Sequence, residues 1–243
     1  MGGVDSIKPY EEETRKLYDD MEQIWPNDNS WYNFTHSQIL KFIYSNDYIF
    51  NHRMKILNAG SGGSVYNIPG NMFHIDITDK FIKELKNAYV ASVEDIPFDN
   101  DMFDAVICVG SVINYCNALS AISEISRVMH KNSHMILEYE RSQSGELVFN
   151  RQYGKSSSMQ IYDYNGQNNH KIWLYSDAYI DNILQEYNLR ILKNRYFHTF
   201  TSIVNHAIHD EETAGKFSFV DNVLPPFIKK IVAHNRILLC QKF

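Results

Sequence analysis

The chain has 243 residues, a formal net charge of −6, 44% hydrophobic and 21% charged residues. That acidic balance argues against a nucleic-acid backbone as the main partner, and no apolar run is long enough to span a bilayer. Met1 to Tyr10 lack the basic and apolar regions of a secretory leader, and Cys108, Cys116 and Cys240 sit in apolar surroundings, odd in number. They read as buried free thiols of a reducing cytoplasm, not as disulfides or zinc ligands.

In chain order, residues 5–22 predict an acidic amphipathic helix, with Tyr10, Met21 and Ile24 among its apolar positions. Pro26 to Ser30 breaks it, and Trp31-Tyr32-Asn33-Phe34 opens a second helix through Ile43. Residues 52–58 predict a core strand without alternation, as a parallel strand covered on both faces requires. After Gly60, Gly62 and Gly63, the stretch Val65 to Ile68 is too short for a crossover helix, and a second strand is expected at 72–76. Thr78 predicts the cap of a helix turning Phe81, Ile82 and Leu85 inward. Strands follow at 88–91, 103–109 and 134–139, with a helix between the last two marked by Leu119, Ile122, Ile125, Val128 and Met129. Segments 159–164 and 170–175 alternate and predict a hairpin inserted in a polar region. Ser176 caps a helix to Tyr187, then come a strand at 189–197, an undecided segment at 198–214, a helix opened by Pro225-Pro226, and a last strand at 237–240. Strands and helices alternate without repeat or long linker. That predicts an α/β fold of 51–243 behind a helical cap of 1–50, with an inserted hairpin region at 141–175.

The glycine turn is the strongest signal of chemistry. Gly60 and Gly62 permit close approach of a ligand to the backbone, and the next strand ends in an acid, Asp76. A dinucleotide fingerprint wants glycine where Val65 stands and a helix start to hold the pyrophosphate, which disfavours a nicotinamide cofactor.

Ile56-Leu57-Asn58-Ala59-Gly60-Ser61-Gly62 resembles the first motif of the class I S-adenosylmethionine-dependent methyltransferases, and Phe73-His74-Ile75-Asp76-Ile77 resembles their second strand. Val93-Glu94-Asp95-Ile96-Pro97-Phe98 followed by Phe103-Asp104-Ala105-Val106-Ile107 is similar to the family's next signature. The resemblance implies a Rossmann-like, seven-stranded, mostly parallel sheet with helices on both faces, and methyl transfer from S-adenosylmethionine to an oxygen or nitrogen atom of a small molecule. It implies cofactor contacts from Asn58, Ala59, Gly60, Ser61 and Gly62, from Asp76 and Ile77 at the ribose, from Ser92, Val93 and Glu94 at the adenine, and from Val109 and Gly110 at the methyl end. Asn58 and Ser92 depart from the family's acids, and a non-catalytic binding module on the same fold is the alternative. Tyr115, Glu138 and His198 are the candidates for a general base, and Tyr10, Trp31, Tyr32 and His36 for a cover over the substrate. Glu140 is a further candidate at the same sheet edge. His206 and His209 have a metal-ligand spacing, but a solvated helix face accounts for them, and no metal is expected.

Overall fold

The computed structural model describes residues 9–162 and 170–243. The strands are β1 Lys55–Ala59, β2 Asn71–Asp76, β3 Ala88–Val90, β4 Phe103–Cys108, β5 Met129–Glu140, β6 Ser157–Tyr162, β7 His170–Tyr175, β8 Leu189–Phe197 and β9 Asn235–Lys242. The helices are α1 Pro9–Asp20, α2 Ser30–Tyr44, α3 Ala118–Val128, α4 Asp177–Glu186, α5 Phe200–Ile208, α6 Glu211–Gly215, α7 Ser218–Val223 and α8 Pro226–Val232.

Seven strands form one sheet in the order β3-β2-β1-β4-β5-β9-β8. The first five run parallel, and β9 lies antiparallel between β5 and β8. Alternate side chains of the central strands feed two cores. Leu57, Val106, Leu137 and Leu238 join the core packed by α3 and α4. Ile56, Ile107, Ile136 and Ile237 join the other, closed by Ile39, Phe42 and Ile43 of α2. Burial on both faces explains why these strands show apolar runs and no alternation.

The helices start where polar caps allow. The Asn29, Asn117 and Ser176 side chains accept backbone N–H groups at the N-termini of α2, α3 and α4. Two sequence expectations fail locally. Residues 78–86 form successive turns and no helix: Ile82 is buried, but Phe81 and Leu85 are only partly covered, too little packing to sustain an isolated helix nucleus. Leu119 of α3 is exposed, and Ala118 and Ala121 take the inward positions beside Ile122. The undecided segment folds as α5 and α6. The hairpin forms from β6 and β7, residues 163–164 of its expected first strand lying outside the described residues. Among the described residues no helix is long and apolar enough to cross a membrane.

Candidate functional site

A cleft of about 310 Å³ opens over the carboxyl ends of β1, β2, β4 and β5, the place where an open α/β sheet binds ligands. Its floor is the glycine turn. Gly60 and Ser61 donate their N–H groups to the Ile75 carbonyl at 3.0 and 2.9 Å, curling the turn over the end of β2. Gly60 has φ +69°, and a Cβ there would collide with Val112, so the turn takes only glycine. Gly62 N–H donates to Asp76 Oδ2 at 2.7 Å, and Thr78 N–H to Asp76 Oδ1 at 3.2 Å. Each carboxylate oxygen retains acceptor capacity toward the cleft, which Asp76 lines. Burial raises the Asp76 carboxyl above its ordinary range against the pull of these N–H groups.

Gly60, Ser61, Gly62, Asp76 and Ile77 line the cleft, as do Ser92, Val93, Val109 and Gly110. Asn58, Ala59 and Glu94 do not. Ala59 is fully buried. The Glu94 carboxylate turns to the Asn117 N–H, at 2.7 Å. Asn58, 1% exposed, braces the turn from below: its Nδ2 donates to the Ser64 carbonyl at 2.9 Å and to Ser61 Oγ at 3.2 Å. Ser61 Oγ is in turn 2.8 Å from His74 Nδ1. An ionised acid at 58 could not donate these bonds, so the departure from the family's residue has a structural use.

Of Tyr115, Glu138 and His198, Tyr115 alone faces the cleft, which the further candidate Glu140 also lines. Its ring meets Tyr18 edge-on at 5.5 Å, and burial pushes its phenol so far up that it stays protonated, a donor and not a base. Glu138 lies beneath the floor, fully buried, accepting from Gly110 N–H at 2.9 Å, Ser111 N–H at 2.7 Å and Asn235 Nδ2 at 2.7 Å. Burial pushes its carboxyl up to about 7. Glu138 and Glu140, two residues apart, share one face of β5; Glu138 lies deeper, and Glu140, the last residue of the strand, reaches the cleft. Glu138→Ala leaves three donors unpaired, two of them fully buried, and is expected to cost about 2–3 kcal/mol of stability, read from the urea unfolding midpoint. An unshifted midpoint would mean that the donors re-pair.

His198 is fully buried behind Trp31, stacked on its ring with centroids 3.7 Å apart. Its Nε2 is 2.8 Å from Thr35 Oγ1 and its Nδ1 2.9 Å from Thr201 Oγ1. Burial pushes the ring well below its ordinary pKa, so it is a neutral anchor for α2 and not a cleft base. Trp31 and Tyr32 do line the cleft, while His36 stacks on Trp25 at 4.9 Å, one layer behind. The Tyr10 side chain lies outside the described residues.

Several lining residues carry no local signature. Glu11 on α1 reaches across the cleft and accepts from Ser92 Oγ at 2.6 Å. Glu211 and His234 line the cleft as well. They come from segments far apart in sequence, joined only by the sheet order. Among the described residues no group of three or more histidines, cysteines or acids is placed to hold a metal ion.

Residues 57–137 match the family model described as a methyltransferase domain, about a third of the chain. Over those residues the chain carries a methyltransferase domain. S-adenosylmethionine is the cofactor of this methyltransferase family. The residues present fit it: the Gly60 cradle admits only backbone, Asp76 offers acceptors, and the Trp25 indole N–H is buried without an acceptor on the cleft wall. An uncharacterized protein of Methanocaldococcus jannaschii is 29% identical over 130 residues, 51% of this chain and 47% of that protein, so the match spans about half the relative's length. Two solved structures have the same fold as this methyltransferase domain. The Burkholderia thailandensis 1,6-didemethyltoxoflavin-N1-methyltransferase, bound to S-adenosylhomocysteine, gives a TM-score of 0.60 at 9% identity over 99% of this chain and 93% of its own. The Streptomyces coelicolor geranyl diphosphate C-methyltransferase gives 0.62 at 10% identity over 97% and 99%.

Proposed function

We propose that this chain transfers a methyl group from S-adenosylmethionine to an oxygen or nitrogen atom of a small molecule held in the same cleft. The observation that carries it is Asp76: a carboxylate at the end of β2, lining the cleft, hydrogen-bonded to the glycine turn and able to accept further donors. Asp76 would take the ribose hydroxyls. Glu11 stands beside Ser92, supplying from α1 the acid that position 92 lacks for the adenine amino group. The Trp25 N–H, on an indole whose benzo edge lies against Gly110, suits the carboxylate of the methionine part.

The bound cofactor supplies a methyl group already activated on a sulfonium. The protein's part is positioning and exclusion of water. Residues 1–50 serve as a cap and 51–243 as the methyltransferase domain: α1 and α2 place Tyr18, Trp31 and Tyr32 over the cleft. The cytoplasm is the compartment that suits three buried free thiols. The bracing role of Asn58 and the nearness of Glu11 to Ser92 answer the two departures that favoured a non-catalytic module.

Calorimetry with S-adenosylhomocysteine, and transfer of labelled methyl from S-adenosylmethionine to a small-molecule panel, test the reading. Saturable binding and label transfer are expected. No binding at millimolar concentration would reject it.

A further inference from the structure

The part of the cleft around His234 is acidic and aromatic. Glu140 at the end of β5, Glu211 in the first turn of α6 and His234 just before β9 line it with Trp31 and Tyr32, and no lysine or arginine lines the cleft among the described residues. His234 Nε2 lies 3.2 Å from Glu140 Oε2, and its Nδ1 lies 2.9 Å from Ser144 Oγ and 3.9 Å from Glu146 Oε1. Burial alone would keep His234 neutral, but the Glu146, Glu140 and Glu211 carboxylates overcome it and push the ring up to about 9. One imidazolium thus faces three acids. Glu140 also accepts from Ser111 Oγ at 2.9 Å, and Glu146 from Asn205 Nδ2 at 2.9 Å. Among the described residues Glu211 has no hydrogen-bond or ion-pair partner, and burial, with Glu146 and Glu140 nearby, pushes it up to about 7.

A second observation is independent of the acids. Asn235, 2% exposed, lines the same cleft; its Nδ2 is committed to Glu138, and its Oδ1 is buried without a donor. Buried acceptors are normally satisfied, so this one calls for an N–H or O–H from a ligand. An anionic acceptor molecule, a carboxylate or phosphate, would meet like charge here. A cation would meet carboxylates beside the Trp31 and Tyr32 side chains that line the cleft.

We propose that the acceptor is an amine, bound as a cation against Glu140 and Glu211 beside Trp31 and Tyr32, with Asn235 Oδ1 taking one of its N–H groups, and methylated on nitrogen. The proposal rests on the methyltransferase reading above. The ammonium gives one proton to the Glu211 carboxylate. The freed nitrogen pair forms the N–C bond while the S–C bond breaks, its pair remaining on sulfur as a neutral thioether. Water then takes the proton from Glu211. The groups that face Glu211 and set its titration are Glu146 in the turn 145–147, Glu140 on β5, His234 and Asp210 beside it.

Labelled S-adenosylmethionine is offered with matched panels of amines, phenols, carboxylates and phosphate monoesters, while S-adenosylhomocysteine affinity is measured separately by calorimetry. Label is expected in amines, with kcat/KM rising from about pH 6 to about pH 8 as Glu211 loses its proton. In E211Q the amine KM is expected to rise about ten-fold or more and the pH limb to flatten, with S-adenosylhomocysteine affinity unchanged. Glu211→Asp should restore part of the pH limb. Binding of S-adenosylhomocysteine with label entering no amine overturns the amine proposal, as does an unchanged KM and pH profile in E211Q. Failure of S-adenosylhomocysteine to bind falls instead on the methyltransferase reading.

Discussion

Replacing Asp177 by alanine is expected to lower the unfolding free energy by about 3–5 kcal/mol, the cost of leaving a buried charge uncompensated. Arg141 is 1% exposed, and its guanidinium grips Asp177 with two bonds, Nε to Oδ1 at 2.7 Å and the second amino group to Oδ2 at 2.9 Å. The same carboxylate accepts from the Tyr139 hydroxyl at 2.9 Å and the Tyr196 hydroxyl at 3.0 Å. Arg141 also donates to the Ala233 carbonyl at 2.5 Å and the Lys230 carbonyl at 2.7 Å, so the pair ties β5 and α4 to the segment that leads into β9. His234 and Asn235 stand on that segment, which links this stability to the shape of the cleft. The pH dependence has a definite sign. Burial alone would raise the Asp177 carboxyl, but the Arg141 and Arg236 guanidinium groups and the Tyr139 hydroxyl hold it below its ordinary value. Its contribution is therefore present above the ordinary carboxylate range and lost as pH falls through that range toward the lowered value. Urea unfolding at neutral pH and in acid reads both effects. A midpoint for the alanine variant equal to that of the parent at neutral pH would show that the pair contributes nothing.

What was legible in the sequence was what local pattern encodes. The apolar run Ile56-Leu57 into Gly60, the acid ending 72–76 and the β-branched run at 103–109 each owe their structure to residues within a few positions. The structure puts them in adjacent parallel strands with the cleft at their ends. Residues 78–86 misled because propensity and a cap were present while burial was not. Glu138 and Glu140 illustrate a finer limit. Two acids on one strand looked equivalent, yet one braces the Gly110–Ser111 turn from below and the other faces the cleft. His198 looked like a base because histidine is the usual one; the aromatic face of Trp31, brought from α2, turned it into an anchor. Glu11, Glu211 and His234 had no signature, since their meeting depends on α1 folding back over the sheet and on β9 inserting between β5 and β8.

The Asp76→Ala change is expected to weaken S-adenosylhomocysteine binding by about 1.5–3 kcal/mol, roughly ten- to 150-fold in Kd, if the ribose hydroxyls donate to a carboxylate. Two effects are combined in that loss. The ligand loses charge-assisted bonds, and the Gly62 N–H loses the acceptor that holds the turn, at 2.7 Å in the parent. Asp76→Asn separates them. The amide keeps an oxygen for one of the backbone N–H groups but carries no charge, so its Kd should fall between those of parent and alanine variant. Acid provides an independent check. Burial already raises the Asp76 carboxyl, with the N–H groups of Gly62, Thr78 and Ile77 opposing and Asp19 adding to the rise. Parent affinity should therefore decline as pH falls through that raised value, because a protonated acid no longer serves as an acceptor-only group for both hydroxyls. The asparagine variant should lack that decline. Equal affinities for parent, alanine and asparagine proteins across the same pH range would remove Asp76 from the cofactor site and with it the observation on which the functional reading stands.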